Sequence, residues 1–228
     1  MRTTISDIFF DLDHTLRDFE KNSALAFETI LKKHNIKVDI EQFVALYVPI
    51  NTKYWKLYQD EEVTQEELRY GRLRDAFDAV NYEISDTVIL LLSEEYIHYL
   101  PQYNHLFEGT IELLEYLKPK YKLHIITNGF NQIQYNKLKN SNIDHYFETV
   151  TNSENAGFKK PNPHIFHYAL DLAKSKKESS IMIGDNFEAD IQGALNVGID
   201  AIMFNEHNIE IAQNIKQVNH LLAIKEYL

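Results

Sequence analysis

The sequence predicts a doubly wound α/β core, a parallel sheet with helices on both faces, carrying an inserted all-helical domain. Short runs of β-branched and aromatic residues stop abruptly at small or acidic residues, with helical patterns between them. A long segment from residue 17 to residue 105 breaks that alternation and reads as consecutive helices. The content, 44% hydrophobic and 25% charged over 228 residues, is that of an ordinary globular chain and excludes disordered and fibrous classes.

The first strand is read from Ile5, Ile8, Phe9 and Phe10, which end at the turn Asp11-Leu12-Asp13. Further runs lie at Leu123 to Ile126, Ile181 to Ile183 and Ala201 to Phe204. The second and third of the four end, as the first does, in small or polar residues, Thr127-Asn128-Gly129 and Gly184-Asp185-Asn186. Helical patterns at Ile111 to Leu117, Ile165 to Leu172 and Ala189 to Val197 fall between or after them, which implies right-handed crossovers and a parallel sheet. Within 17–105, Thr64 with Glu67 forms a capping box, Ser85-Asp86 opens another helix and Pro101 closes it. Tyr47, Tyr54, Trp55 and Tyr58 at helical spacing are expected to be core before they are substrate stackers. The expected division is therefore a core of 1–16 with 106–228 and a helical domain of 17–105. From His207 onward the chain reads as an extended stretch and a closing helix near Asn219 with a packing role.

The formal charge of -11 disfavours binding along a nucleic acid backbone, and no basic run reverses it locally. The same charge repels a phosphorylated small molecule, so a phosphate site must bring its own cations or aligned N–H groups. The absence of cysteine removes disulfides, thiolate metal sites and thiol nucleophiles, and fits a reducing compartment such as the cytoplasm. Met1 to Phe10, with a single Arg2, does not resemble a cleaved secretory signal, and apolar runs such as Val88 to Leu92 are too short to span a bilayer.

In an open parallel sheet, ligands bind beyond the carboxyl ends of the strands. There the sequence places Asp11, Asp13, Thr127, Asn128, Asp185 and Asp190. Carboxylates gathered about 4 Å apart repel by roughly 4 kcal/mol per pair at an effective dielectric of about 20, which a divalent cation relieves. Hard oxygen donors without cysteine favour Mg²⁺. Asp11 is ionised at neutral pH and can attack phosphorus unaided. Asp13 can protonate the leaving oxygen and later deprotonate water. Thr127 and Asn128 can hold phosphoryl oxygens, and Lys160, ahead of the helix start Pro161-Asn162-Pro163, supplies positive charge to the transition state. Each piece alone also has a plain reading, as a turn, a cap or a solvated loop, and it is their ordered co-occurrence after buried strands that carries the inference.

Asp11-Leu12-Asp13-His14-Thr15, Thr127-Asn128-Gly129, Lys160-Pro161 and Gly184-Asp185-Asn186-Phe187-Glu188-Ala189-Asp190 resemble, in order, the four motifs of the haloacid dehalogenase superfamily. The resemblance covers nearly the whole chain. It implies a Rossmann-like core, a nucleophile at Asp11, an acid/base at Asp13, and Mg²⁺ held by Asp11, the Asp13 main-chain carbonyl and Asp185. Thr15 and Asp190 would support the site, Asp190 through water. The helical insertion resembles the family's cap at that position, which closes over the site and excludes water. More narrowly, Tyr54-Trp55-Lys56-Leu57-Tyr58, Thr64 to Leu68, Thr127-Asn128-Gly129-Phe130 and Asp190-Ile191-Gln192-Gly193-Ala194 look like the pyrimidine 5′-nucleotidase branch. That branch implies nucleoside monophosphates such as UMP, dUMP or dTMP as substrates. A monomer or homodimer is expected.

Of the two adjacent lysines, Lys160 rather than Lys159 is expected to act, because it abuts Pro161. His164 and His167, three apart on a helix, are expected to be surface residues. A sugar-phosphate phosphatase or phosphomutase would share all four motifs. A receiver-like signalling domain has no place for the helical insertion, a dehalogenase has no need of Asp13, and a non-catalytic phosphate-binding protein would be expected to lack one of the groups.

Overall fold

Side-chain alternation along each buried strand decides where the layers of the core lie. In the computed structural model, which describes residues 4–211 and 215–228, Ile8 and Phe10 enter one apolar cluster while Phe9 enters another. Leu123 and Ile125 part from Ile126 in the same way, as do Ile181 and Ile183 from Met182, and Ile202 and Phe204 from Ala201 and Met203. One sheet thus feeds two cores, which is why its central strands read as unbroken apolar runs.

Among the described residues the sheet has 6 strands in the order β3-β2-β1-β4-β5-β6. They are β1 (Asp7–Phe10), β2 (Lys122–Thr127), β3 (Phe147–Asn152), β4 (Ser180–Gly184), β5 (Asp200–Phe204) and β6 (Lys216–Val218). Every pairing is parallel, with Phe10 opposite Ile125 on one side and Ile183 on the other. The order reverses at β1, so the crevice at the carboxyl ends of β1, β2 and β4 is the topological switch point where such sheets bind ligands.

The chain divides into two units, one running to Phe19 and resuming at Asn104, the other spanning Glu20–Tyr103. The second unit is built from α1 (Phe19–Lys33), α2 (Ile40–Gln59), α3 (Gln65–Ala79) and α4 (Asp86–Tyr99). Thr64 and Glu67 form the full capping box at the start of α3, and Ser85 caps α4. Past Tyr99 the chain tightens into a 3₁₀ turn, Leu100–Gln102, that contains Pro101. Its interior is aromatic: Phe27 stacks on Tyr96 at 4.5 Å and meets Tyr47 at 4.6 Å, while Phe43 meets Phe77 at 5.0 Å. Tyr47 is therefore core, whereas Tyr54, Trp55 and Tyr58 are half-buried, Trp55 and Tyr58 edge to face at 5.8 Å.

In the first unit the remaining helices are α5 (Thr110–Leu117), α6 (Asn131–Asn140), α7 (Ser153–Ala156), α8 (Pro163–Ala173) and α9 (Gly193–Val197). Phe187–Gln192, which leads into α9, is wound as a π-helix. Near the C-terminus, Leu221 and Ile224 of a 3₁₀ helix (Leu221–Glu226) are buried in the β1 cluster, a packing role. Residues 212–214, within the stretch expected to be extended, and the first three residues with Arg2 lie outside the described residues. No helix among the described residues is long and apolar enough to cross a membrane.

Candidate active site

β1 continues past Phe10 by one hydrogen bond, the Asp11 N–H donating to Ile183 C=O at 2.9 Å, and then turns sharply. The turn closes on Leu12, whose C=O accepts from the Leu16 and Arg17 N–H groups, with His14 left-handed at φ 63. Leu12 and Leu16 are fully buried and pin the loop to the core. Thr15, buried beneath it, donates from Oγ1 to Asp185 Oδ1 at 2.9 Å and so ties the loop after β1 to the loop after β4.

Lys160 is the centre of the charge arrangement. Its side chain is 2% exposed, and Nζ donates to Asp11 Oδ1 at 2.5 Å and to the Ile126 carbonyl at 2.7 Å. Asp190 Oδ1 lies 2.6 Å from the same nitrogen and forms an ion pair with it. Two carboxylates hold the ammonium charged despite its burial and raise its pKa above the ordinary lysine value. The Lys160–Pro161 peptide is cis. Asn128 fixes the backbone here: its amide accepts from Lys160 N–H at 2.7 Å and donates to Lys160 C=O at 2.9 Å.

Asp11, Asp185 and Asp190 each place a carboxylate oxygen within 4.8 Å of the others. Burial raises the pKa of Asp11 well above the carboxylate range, with Asp190 and Asp185 adding and Lys160 opposing. Burial, then Asp190, pushes Asp185 up to about 7. When all three are ionised, the one lysine among them leaves two negative charges uncompensated. Oxygen-only donors and that residual charge together fit a hard divalent cation. Asp190 is held for this by the turn after β4, since its Oδ2 accepts from the Asn186 N–H at 3.0 Å while the Asn186 side chain caps Ala189. A Cβ on Gly184 would overlap the Asp190 carboxylate, which explains a glycine at the end of β4.

Asp13 stands apart from that cluster. Its Oδ2 accepts from Lys137 Nζ at 2.5 Å and from Gln134 Nε2 at 3.1 Å, and Arg17 Nη1 lies 3.5 Å from Oδ1. Burial works to raise its pKa, but Lys137 and Arg17 prevail and hold it down at about 2. Burial lowers Lys137 in turn to about 8, against the pull of Asp13, so both members of the pair remain charged at neutral pH. Thr127 Oγ1 accepts from Gly129 N–H at 3.1 Å and from Gln134 Nε2 at 2.6 Å. A hydroxyl has one proton to give, and with both bonds accepted that proton is left for a third partner.

The structure thus gathers Asp11, Thr15, Lys160, Asp185 and Asp190 at the switch point, with Thr127 and Asn128 on the adjoining strand end. Lys160, not Lys159, enters the acidic cluster. The Asn128 amide differs from expectation: it faces the Lys160 backbone, because a buried loop must satisfy its peptide groups. His164 and His167 are exposed. Gln134, Lys137 and the fully buried Arg17 were not foreseen. A glutamine and a lysine three apart on a polar helix read as solvated, and only the glycine of Thr127-Asn128-Gly129 hinted at a close neighbour.

With this fold and this carboxylate–lysine constellation, the chain belongs to the haloacid dehalogenase-like hydrolase family, whose model matches residues 8–204. The pyrimidine 5′-nucleotidase PynA of Streptococcus pneumoniae is 34% identical, over 89% of this chain and 85% of its own. The pyrimidine 5′-nucleotidase YjjG of Escherichia coli is 31% identical, over 91% and 89%. A glyceraldehyde 3-phosphate phosphatase of Methanothermobacter thermautotrophicus is 30% identical, over 94% and 92%. Among solved structures, the magnesium-bound HAD-hydrolase YfnB of Bacillus subtilis superposes with a TM-score of 0.88 at 27% identity, covering 99% of both chains.

Proposed function

We propose that this chain is a Mg²⁺-dependent phosphatase that hydrolyses small phosphomonoesters through a phospho-aspartate on Asp11, with pyrimidine nucleoside 5′-monophosphates as its substrates. The observation that carries the chemistry is Lys160 bridging Asp11 and Asp190 below the switch point. A fixed buried cation beside the nucleophile stabilises charge that develops on the transferring phosphoryl group and needs no rearrangement to do so. The Thr127 hydroxyl, with its proton free to donate, and the main-chain N–H groups around Asn128 supply further donors. Asp11 attacks phosphorus, and Asp13, ionised in the free site and protonated as the phosphate dianion enters beside it, delivers that proton to the departing oxygen and takes one from water in the second half-reaction. Asp11, Asp185 and the Asp13 main-chain carbonyl would hold Mg²⁺, with Asp190 and Thr15 in support. The ion, when bound, offsets the repulsion between Asp11 and the phosphate dianion.

The substrate class rests on two nucleotidase relatives above 30% identity, and Asp13 separates this chain's chemistry from attack on carbon. The glyceraldehyde 3-phosphate phosphatase at 30% identity favours a sugar-phosphate alternative. Phosphate release from a panel of nucleoside monophosphates and sugar phosphates, with Mg²⁺ and with EDTA, decides between them. Selective Mg²⁺-dependent hydrolysis of UMP, dUMP or dTMP is expected. Preference for a triose phosphate would replace the substrate and keep the chemistry, and full activity in excess EDTA would remove the metal. We expect no nucleic acid partner, given the negative charge, and a cytoplasmic location, which the cysteine-free composition fits.

A further inference from the structure

A lysine on a helix ordinarily reaches water, yet Lys137 on α6 is 4% exposed and its neighbour one turn earlier, Gln134, is 1% exposed. Both side chains run inward to the same oxygen, Asp13 Oδ2, Lys137 Nζ at 2.5 Å and Gln134 Nε2 at 3.1 Å. The second hydrogen of the Gln134 amide goes to Thr127 Oγ1 at 2.6 Å. One amide group therefore joins the loop after β1 to the end of β2. Gly129 is shaped for this, because a Cβ there would overlap the Gln134 amide.

We propose that Gln134 and Lys137 are positioning residues that fix the Asp13 carboxylate and lock it to Thr127. The proposal rests on the phosphatase reading and deepens it. In that reaction an Asp11 carboxylate oxygen bonds to phosphorus as the ester P–O bond breaks, and Asp13, which takes up a proton from water as the phosphate charge enters the site, gives it to the departing alcohol oxygen. A water oxygen then attacks phosphorus, its proton passes to Asp13, and the Asp11–phosphorus bond breaks to release phosphate. Each transfer needs the Asp13 oxygen at a defined place, and a carboxylate free to rotate would reach it less often. Thr127 grips the phosphoryl group, so a bond from the same amide to both residues keeps the acid/base in register with the reacting phosphorus.

The test uses the full chain with Lys137→Met, Lys137→Arg and Gln134→Leu, each checked by circular dichroism and a melting curve. The structural arm is a crystal structure of Lys137→Met beside the wild type. Displacement of the Asp13 carboxylate is expected, and an unmoved carboxylate overturns the proposal whatever the activity. The kinetic arm compares kcat/KM, which reports the first phosphoryl transfer, on a nucleoside monophosphate and on p-nitrophenyl phosphate. An alcohol leaves only when protonated and p-nitrophenolate does not, so Lys137→Met is expected to lose about 10- to 100-fold on the former and under about 3-fold on the latter. Gln134→Leu should show the same selectivity, and Lys137→Arg should recover most of the loss. Equal losses on both esters, or none on either, would assign Lys137 to phosphate binding or to packing and overturn the proposal. A wild type that releases no phosphate with Mg²⁺ would instead overturn the phosphatase reading, and the crystal position of Asp13 would still decide the clamp.

Discussion

Lys160 and Lys137 divide the work of countering the site's carboxylates. The first faces Asp11 and Asp190, the second faces Asp13, and neither carboxylate group touches the other lysine by hydrogen bond. Two aspartates two residues apart thereby sit in opposite electrostatic settings, Asp11 pushed up by burial and like charge, Asp13 held down by two cations. In the metal-free site this is the reverse of the order the reaction uses, and a cation at Asp11 with a phosphate dianion beside Asp13 is what would invert it. The glycines of the site follow from the same crowding. Gly129→Ala would drive the Gln134 amide out from under the loop, a steric cost of about 1–3 kcal/mol for overpacking in a buried place. Urea unfolding is expected to reveal that loss together with a fall in turnover, whereas a variant as stable and as active as the wild type would show that Gln134 is dispensable.

At the scale of elements, the legibility of the sequence followed burial. β1, β2, β4 and β5 were plain because strands covered on both faces are apolar throughout, and their carboxyl ends delivered Asp11, Thr127 and Asp185 to the switch point. β3 was not foreseen as a strand, and β6 only as part of an extended stretch. Both are edges that pair on one side only, and Phe147-Glu148-Thr149-Val150-Thr151-Asn152 and Lys216-Gln217-Val218 carry too many polar side chains to stand out from loops. Caps were readable because the pattern and the physics coincide within four residues, as at Thr64 and Glu67. The stretch from Ala189 to Val197 was legible as helical but not as a π-helix followed by α9, since the wider turn answers to the Asn186 and Asp190 bonds rather than to periodicity. The inward course of Gln134 and Lys137 was hidden for a related reason: the helix surface they occupy looks polar, and only tertiary neighbours make it an interior.

For the whole molecule, the charge that bears on function is local, where Asp11, Asp185 and Asp190 meet. A carboxyl whose folded pKa lies above its unfolded value binds more protons when folded, so without metal its contribution to stability is full below about pH 4 and is lost as pH rises through about 7 for Asp185. Mg²⁺ removes that penalty only where the carboxylates are ionised. The rise in melting temperature on adding Mg²⁺ should therefore be larger at pH 8 than at pH 5, and comparing the increments cancels the titration of groups remote from the site. An increment equal at both values would place the ion elsewhere.

The central claim is that Asp11 becomes phosphorylated. Asp13→Asn slows the breakdown of an acyl phosphate by removing the base, while p-nitrophenolate leaves without an acid, so the intermediate should accumulate in that variant when it is mixed with Mg²⁺ and ³²P-labelled p-nitrophenyl phosphate and quenched in acid. The label is expected on the peptide that contains Asp11, to be released by hydroxylamine, and to be absent when Asp11→Asn is added to the same chain. Label retained in the double variant, or phosphate released at the wild-type rate by Asp11→Asn alone, would contradict the nucleophile and with it the account of the site.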